Sequence, residues 1–189
     1  MVSAGDASEA DAAMDRYAAG DDAAFETVYD CLAPRLCGFL GRQTRNPALA
    51  EDLVQQTLLQ MHRARGSFIR GASVTSWAFA IARRLLIDGA RKTATEGLDP
   101  SDHTAALAGL EHGETADQVV EAKQTAARLA RVMAALPANQ RDAFTLVKGE
   151  GLSLAEAAEV LGATVMAVKL RVFRANEALR EALLHTEDA

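Results

Sequence analysis

Seven basic side chains fall between Met61 and Lys92 (Arg63, Arg65, Arg70, Arg83, Arg84, Arg91 and Lys92) against a single acid, Asp88. A second group, Lys169, Arg171 and Arg174, lies near the C-terminus. Cationic groups at this density can neutralise a phosphate backbone and hydrogen-bond base edges, although charge alone fits a solvated arginine face equally well. The positive charge is local. The formal net charge is −6, with −3 over residues 1–20, +3 over 21–92, −4 over 93–135 and −2 over 136–189. Catalytic chemistry finds less support, because His62, His103, His112 and His185 are scattered, with no metal-ligand spacing, nucleophile elbow or phosphate-binding glycine loop. Cys31 and Cys37 are six apart, match no metal or redox motif, and read as small core or half-buried thiols. The expectation is a protein that is not an enzyme and needs no metal or cofactor.

The elements that must carry these residues are helices. A length of 189 residues allows one or two small domains, and 49% hydrophobic with 24% charged residues is a globular composition. There are 40 alanines and only 5% aromatics, which favours helix over strand. No apolar run reaches the roughly 18 residues a membrane span requires, and Asp6, Glu9, Asp11 and Asp15 stand where a secretion signal would be basic and apolar. The expectation is therefore a cytoplasmic chain without membrane insertion. Residues 1–20 read as an acidic extension outside the folded domains.

From Asp22, a good N-cap, Phe25, Val28, Leu32, Leu36 and Phe39 recur at three- and four-residue spacing and define one apolar stripe. Asn46-Pro47 ends this helix and starts the next, with Asn as cap and Pro at the first helical position. In that second helix Leu49, Leu53, Thr57 and Met61 share the inner face with Val54 and Leu58 beside it, so Asp52, Gln55, Gln56 and Leu59 must look outward. After a loop over 66–73, a third helix runs from Val74 to Arg91 with Val74, Trp77, Ala78, Ile81 and Leu85 inward. Asp88-Gly89, a hairpin-turn dipeptide, lies inside it, and the helical pattern prevails because no alternating strand flanks the pair. Residues 93–115 mix Gly, Pro, Asp, Ser and Thr without a period and read as a linker. Thr115 and Gln118 form a capping box for a helix that Pro137 ends.

Three shorter helices follow, at about 139–148, 153–161 and 165–184. The middle one opens on the capping box Ser153-Leu154-Ala155-Glu156 and closes on Leu161-Gly162, and Thr164 caps the next. A short capped helix, a glycine turn and a helix with a basic face form a helix-turn-helix over 153–184, whose second helix fits a major groove. Val165, Val168 and Val172 are expected to pack inward, leaving Lys169, Arg171 and Arg174 free.

This C-terminal run resembles the promoter-reading domain of sigma factors of the extracytoplasmic-function (ECF) group of the sigma-70 family. Leu136-Pro137, Arg141, Glu156, Ala158, Leu161-Gly162, Val168-Lys169, Arg171 and Arg174-Ala175 carry the match. Independently, AEDLVQQTLLQMHR (50–63) resembles the family's polymerase-docking helix, and TSWAFAIARRLLIDGARK (75–92) its promoter-melting helix. The resemblance implies an all-α protein of two small helical domains joined by a flexible linker. A sigma-2-like domain would occupy 21–92 and a sigma-4-like domain 116–189, with the linker at 93–115. It implies core RNA polymerase, promoter DNA and an anti-sigma factor as partners. Docking would fall to Asp52, Gln55, Gln56 and Leu59, and −10 capture and melting to Phe68, Arg70, Trp77, Arg83, Arg84, Arg91 and Lys92. Reading of the −35 element would fall to Thr164, Met166, Ala167, Lys169, Leu170, Arg171 and Arg174.

Two other readings compete. A sigma-like mimic that only sequesters an anti-sigma factor would have no use for a basic melting helix, and usually carries a receiver domain that this length cannot hold. A conventional helix-turn-helix regulator leaves the docking-helix match idle. The chain also departs from the family's usual residues: Arg84 stands for an Asn, Leu58 for a Phe, and Met166, Ala167 and Leu170 for Gly, Thr and Ser. Losing two hydroxyls and gaining apolar groups on the recognition helix favours thymine-methyl contacts. A −35 selection with the reconstituted enzyme should therefore return a motif different from the family's common one; recovery of the common motif would refute this.

Overall fold

The computed structural model describes residues 4–44, 46–95 and 116–184, and these residues contain helices and turns but no strand. The N-terminal half comprises α1 (Ala4–Ala18), α2 (Ala24–Thr44), α3 (Pro47–Ala64) and α4 (Val74–Thr95), with a 3-10 turn at Arg65–Ser67. The C-terminal half comprises α5 (Ala116–Ala135), α6 (Ala138–Phe144), α7 (Leu154–Leu161) and α8 (Val165–Leu184), with a π-helical turn at Thr145–Gly149. The expected linker and the Thr115 cap lie almost wholly at 96–115, outside the described residues.

The acidic N-terminal segment is part of the fold, contrary to expectation. Ala10, Ala13, Met14 and Tyr17 are buried at three- and four-residue spacing, and α1 packs on α2 and α4. A count of acids concealed this stripe because two of its four members are alanines, which bury little area yet permit close approach. Tyr17 anchors the C-terminal end: its ring lies 4.9 Å from that of Phe25, its hydroxyl bonds His62 Nδ1, and the Arg65 guanidinium sits 5.0 Å above the ring. Asp22 does not serve as the expected cap. Helix α2 starts at Ala24, and the Asp22 carboxylate pairs with Arg65.

The stripe on α2 is as expected, with Val28, Leu32, Leu36 and Phe39 buried and Phe25 half-buried. Asn46 Oδ1 accepts from Leu49 N at 3.2 Å, and Pro47 opens α3. On α3 the inner face holds Leu53, Val54, Thr57, Leu58 and Met61, and the Thr57 hydroxyl donates to Leu53 O at 2.7 Å. Leu49, at 45% exposed, is the exception. Helix α4 runs unbroken through Asp88-Gly89. Val74, Ala78 and Phe79 are buried, while Trp77, Ile81 and Leu85 are half-buried.

The two halves meet through one side of α2 and α4. Helix α7 packs on α4, and buried side chains of both halves form one continuous core. The π-helical turn, closed by Glu150 N donating to Thr145 O at 2.9 Å, carries the chain into Gly151 with φ +75°. It turns Glu150 inward, leaving its side chain 7% exposed between two arginines of α2. Arg42 Nη2 donates to Glu150 Oε1 at 2.8 Å; Arg35 Nη2 donates to Glu150 O at 2.7 Å, with Arg35 Nε 3.5 Å from Oε2. Arg35 also donates to Thr75 Oγ1 at 3.1 Å, tying α2, α4 and the turn together. Beside it, Gln43 Nε2 donates to Asp142 Oδ1 at 2.6 Å.

Removing one member of such a cluster strands the others' charge out of water. Glu150→Ala should therefore cost about 3 kcal/mol in urea denaturation. A loss under about 0.5 kcal/mol would place the cluster among pairs that contribute nothing measurable.

Candidate nucleic-acid and partner interfaces

The outer face of α3 is the first surface. Asp52, Gln55, Gln56 and Leu59 are all exposed, and the buried residues between them leave no alternative direction. Sequence reasoning did not include the neighbouring groove between α2 and α3, where Tyr29, Pro34 and Cys37 line up with Gln55. Tyr29, 49% exposed and one position after the buried Val28, extends this face onto α2.

The second surface combines the loop before α4 with α4 itself. Arg70 and Ile69 are exposed at the loop tip, Ile69 at 76%. Phe68 is half-buried against Trp77, with ring centroids 5.2 Å apart. That contact engages one side of each ring, so Trp77 supports the loop. Along α4, Arg84 is exposed and loosely paired with Asp88 at 3.8 Å, Arg91 is exposed and Arg83 is half-buried. Lys92 belongs to α4, but its side chain falls outside the described residues.

Helix α8 is the third surface. Val168, Val172 and Ala175 are buried, but Val165, the first residue of α8, is 48% exposed, contrary to expectation. Thr164 Oγ1 accepts from Ala167 N at 3.2 Å and caps the helix as expected. Lys169 and Arg174 are exposed, while Ala167 and Arg171 are half-buried. Met166, Leu170 and Phe173 (73%, 47% and 56% exposed) form an apolar strip at i, i+4 and i+7. Phe173 was missed, although its spacing from Met166 places it on that face.

The electrostatics bind the surfaces together. Burial pushes the Asp142 carboxyl above its ordinary range, against the opposing effects of Gln43 and of Arg83, Arg141 and Arg171. Asp142 thus lies among basic groups of both α4 and α8. At the start of α7, Ser153 N donates to Glu156 Oε2 at 2.8 Å and Glu156 N to Ser153 Oγ at 3.2 Å, a complete capping box. Burial opposes the charge on Glu156, but these bonds and one from Ser73 outweigh it and hold its pKa below the usual value. Gly162, with φ +58°, makes the turn into α8. Among the described residues no group of His, Cys, Asp and Glu could hold a metal ion, and no helix is long and apolar enough to cross a membrane.

The N-terminal half thus presents an exposed polar face on α3 and a basic helix, and the C-terminal half a helix-turn-helix, an arrangement suited to DNA. Residues 28–96 match sigma-70 region 2, and residues 126–179 match sigma-70 region 4. The chain is 35% identical to the RNA polymerase sigma factor CarQ of Myxococcus xanthus, over 90% of this chain and 95% of that protein. It is 38% identical to the ECF sigma factor SigF of Caulobacter vibrioides, over 86% and 87%. Among solved structures it resembles the sigma factor RpoE of Bartonella quintana, determined with the anti-sigma factor NepR. That match has a TM-score of 0.69 and 28% identity, over 84% of this chain and 96% of that one. The chain belongs to the ECF group of the sigma-70 family, the promoter-specific initiation factors of bacterial transcription.

The lowered pKa of Glu156 gives the capping box a pH signature. A carboxyl with a depressed folded-state pKa contributes stability above its ordinary range and loses it as pH falls through the lowered value. Ser153→Ala should cost about 1 kcal/mol at neutral pH. In denaturation series the deficit should shrink under acid conditions; a deficit independent of pH would remove Glu156 from the account.

Proposed function

We propose that this sigma factor docks on core RNA polymerase through Asp52, Gln55, Gln56 and Leu59 of α3. It captures and melts the −10 element with Phe68, Arg70, Arg83, Arg84, Arg91 and Lys92, Trp77 backing the loop. It reads the −35 element with the face of α8 that carries Thr164, Met166, Ala167, Lys169, Leu170, Arg171 and Arg174. One observation carries the reading: the largely polar docking face on α3 is exposed over a buried, mostly apolar backing, with no hydrogen-bond or ion-pair partner among the described residues. A helix-turn-helix regulator would not need such a face.

Domain assignment follows the same division, with docking and melting in 21–92 and −35 recognition in 116–189. The protein acts in the cytoplasm and without a catalytic step of its own, lending specificity to the polymerase's chemistry. An anti-sigma factor is the further partner we infer, since the relative RpoE is seen with one.

Promoter binding by the free chain should be weak and steeply salt-dependent, because it relies on phosphate neutralisation by local basic patches while the acidic whole opposes it. The packing of α7 on α4, with Asp142 among the arginines of both DNA-facing helices, supports this.

Transcription reconstituted with core polymerase and a genomic promoter library tests the proposal. The wild-type chain should give start-site-specific transcripts. Asp52→Ala should weaken core association about tenfold, the equivalent of ~1.4 kcal/mol at an interface. Lys169→Ala should leave core association unchanged while lowering −35-dependent initiation. Failure of the wild-type chain to associate with core polymerase would overturn the reading.

A further inference from the structure

The loop that precedes α4 closes several of its bonds within its own few residues. Ser67 Oγ donates to Ala64 O at 2.7 Å, Phe68 N to Arg65 O at 3.2 Å and Ala72 N to Ile69 O at 3.0 Å, all within the same few residues. From outside, Ser73 bonds Glu156 of α7, and α1 supplies two further bonds. Asp15 Oδ1 accepts from Gly71 N at 3.2 Å, and Asp11 Oδ1 accepts from Val74 N at 2.7 Å. The two carboxylates are one helical turn apart on α1 and grip the loop at points three residues apart. Their placement follows from the stripe of Ala10, Ala13, Met14 and Tyr17, which fixes the rotation of α1 against α2 and α4.

Each bond has a separate consequence. Val74 is the first residue of α4, whose leading N–H groups lack partners within the helix, so Asp11 caps α4 from another element. Burial raises the Asp11 pKa, against the effect of that same bond, as expected for a group held in place rather than solvated. Gly71 has φ +76°, a conformation that a side chain would strain, and Asp15 holds its N–H in that turn. With both ends fixed and Phe68 against Trp77, Ile69 and Arg70 are left as the exposed tip.

We propose that Asp11 and Asp15 are positioning residues for −10 recognition, with α1 serving as a clasp that presets the base-capturing loop through hydrogen bonds to Gly71 and Val74. The proposal rests on the assignment of that loop to −10 capture. A preset loop pays its ordering cost during folding, so both affinity and discrimination for the captured base should rise.

The test uses the full chain with core polymerase on a promoter recovered from the library. Initiation is compared with single-base substitutions in the −10 element, on duplex and on template pre-melted over that element. Thermal melting and core association are followed alongside. Asp11→Ala/Asp15→Ala should retain core association yet lower duplex initiation and flatten −10 base discrimination about tenfold, in line with the loss of charge-assisted bonds. Pre-melted template should recover part of the rate but not the discrimination. Asp11→Asn/Asp15→Asn keeps an acceptor oxygen at each position and should restore most of the discrimination. Asp15→Ala alone, which leaves the α4 cap intact, should show the same loss in smaller measure and so separates positioning from folding.

Unchanged −10 discrimination in the alanine variants would overturn the proposal, as would asparagine variants that fold normally but discriminate no better than alanine. Phe68→Ala and Arg70→Ala distinguish the two levels. If these leave −10 discrimination intact, the loop assignment fails; if they abolish it while the aspartate variants do not, only the clasp fails.

Discussion

The Glu150 carboxylate, withdrawn from water between Arg35 and Arg42, is the constraint on which the relation between the two halves depends. Apolar surfaces attract without direction and would tolerate several ways of laying α7 on α4. A desolvated carboxylate does not, because any displacement leaves charge without a partner in a medium that penalises it heavily. The Arg35 guanidinium spends its donors on the Glu150 carbonyl and the Thr75 hydroxyl, and lies 5.8 Å from the Phe79 ring centre. A single side chain on α2 therefore fixes the π-helical turn and the start of α4 at once.

From that junction the helices divide their faces between packing and solvent. Helix α2 buries its apolar stripe within the N-terminal half and uses the end carrying Arg35, Arg42 and Gln43 to hold the C-terminal half. This leaves the outer face of α3 and the exposed face of α8 to solvent. Basic residues on α4 and α8 converge near Asp142, whose pKa is raised because burial disfavours its charge more than Gln43 and the surrounding arginines favour it.

Amphipathic helices of sufficient length were legible as sequence. The stripe on α2, the outward direction of Asp52, Gln55, Gln56 and Leu59, the caps at Asn46, Ser153 and Thr164, and the turn at Gly162 all follow from local spacing and local hydrogen bonds. Periodicity also carried α4 correctly through Asp88-Gly89. Local reasoning failed where a residue's partner is distant in sequence. Asp22 was assigned a cap it does not make because Arg65 claims its carboxylate, and the acidic charge of α1 drew attention from a stripe built partly of alanines.

The sequence by itself determined the helices, their caps and the outward faces of α3 and α8, because these are set by spacing of 3.6 residues per turn and by side chains acting on neighbouring backbone, while its motifs carried the resemblance to the family. Only the tertiary structure decided that Asp11 and Asp15 hold the loop before α4 and that Glu150 turns inward. These pairings join residues 56 to 115 positions apart, and whether a carboxylate there is solvent-facing or structural depends on which element packs over it. No local pattern records that choice; the burial of one apolar surface against another makes it.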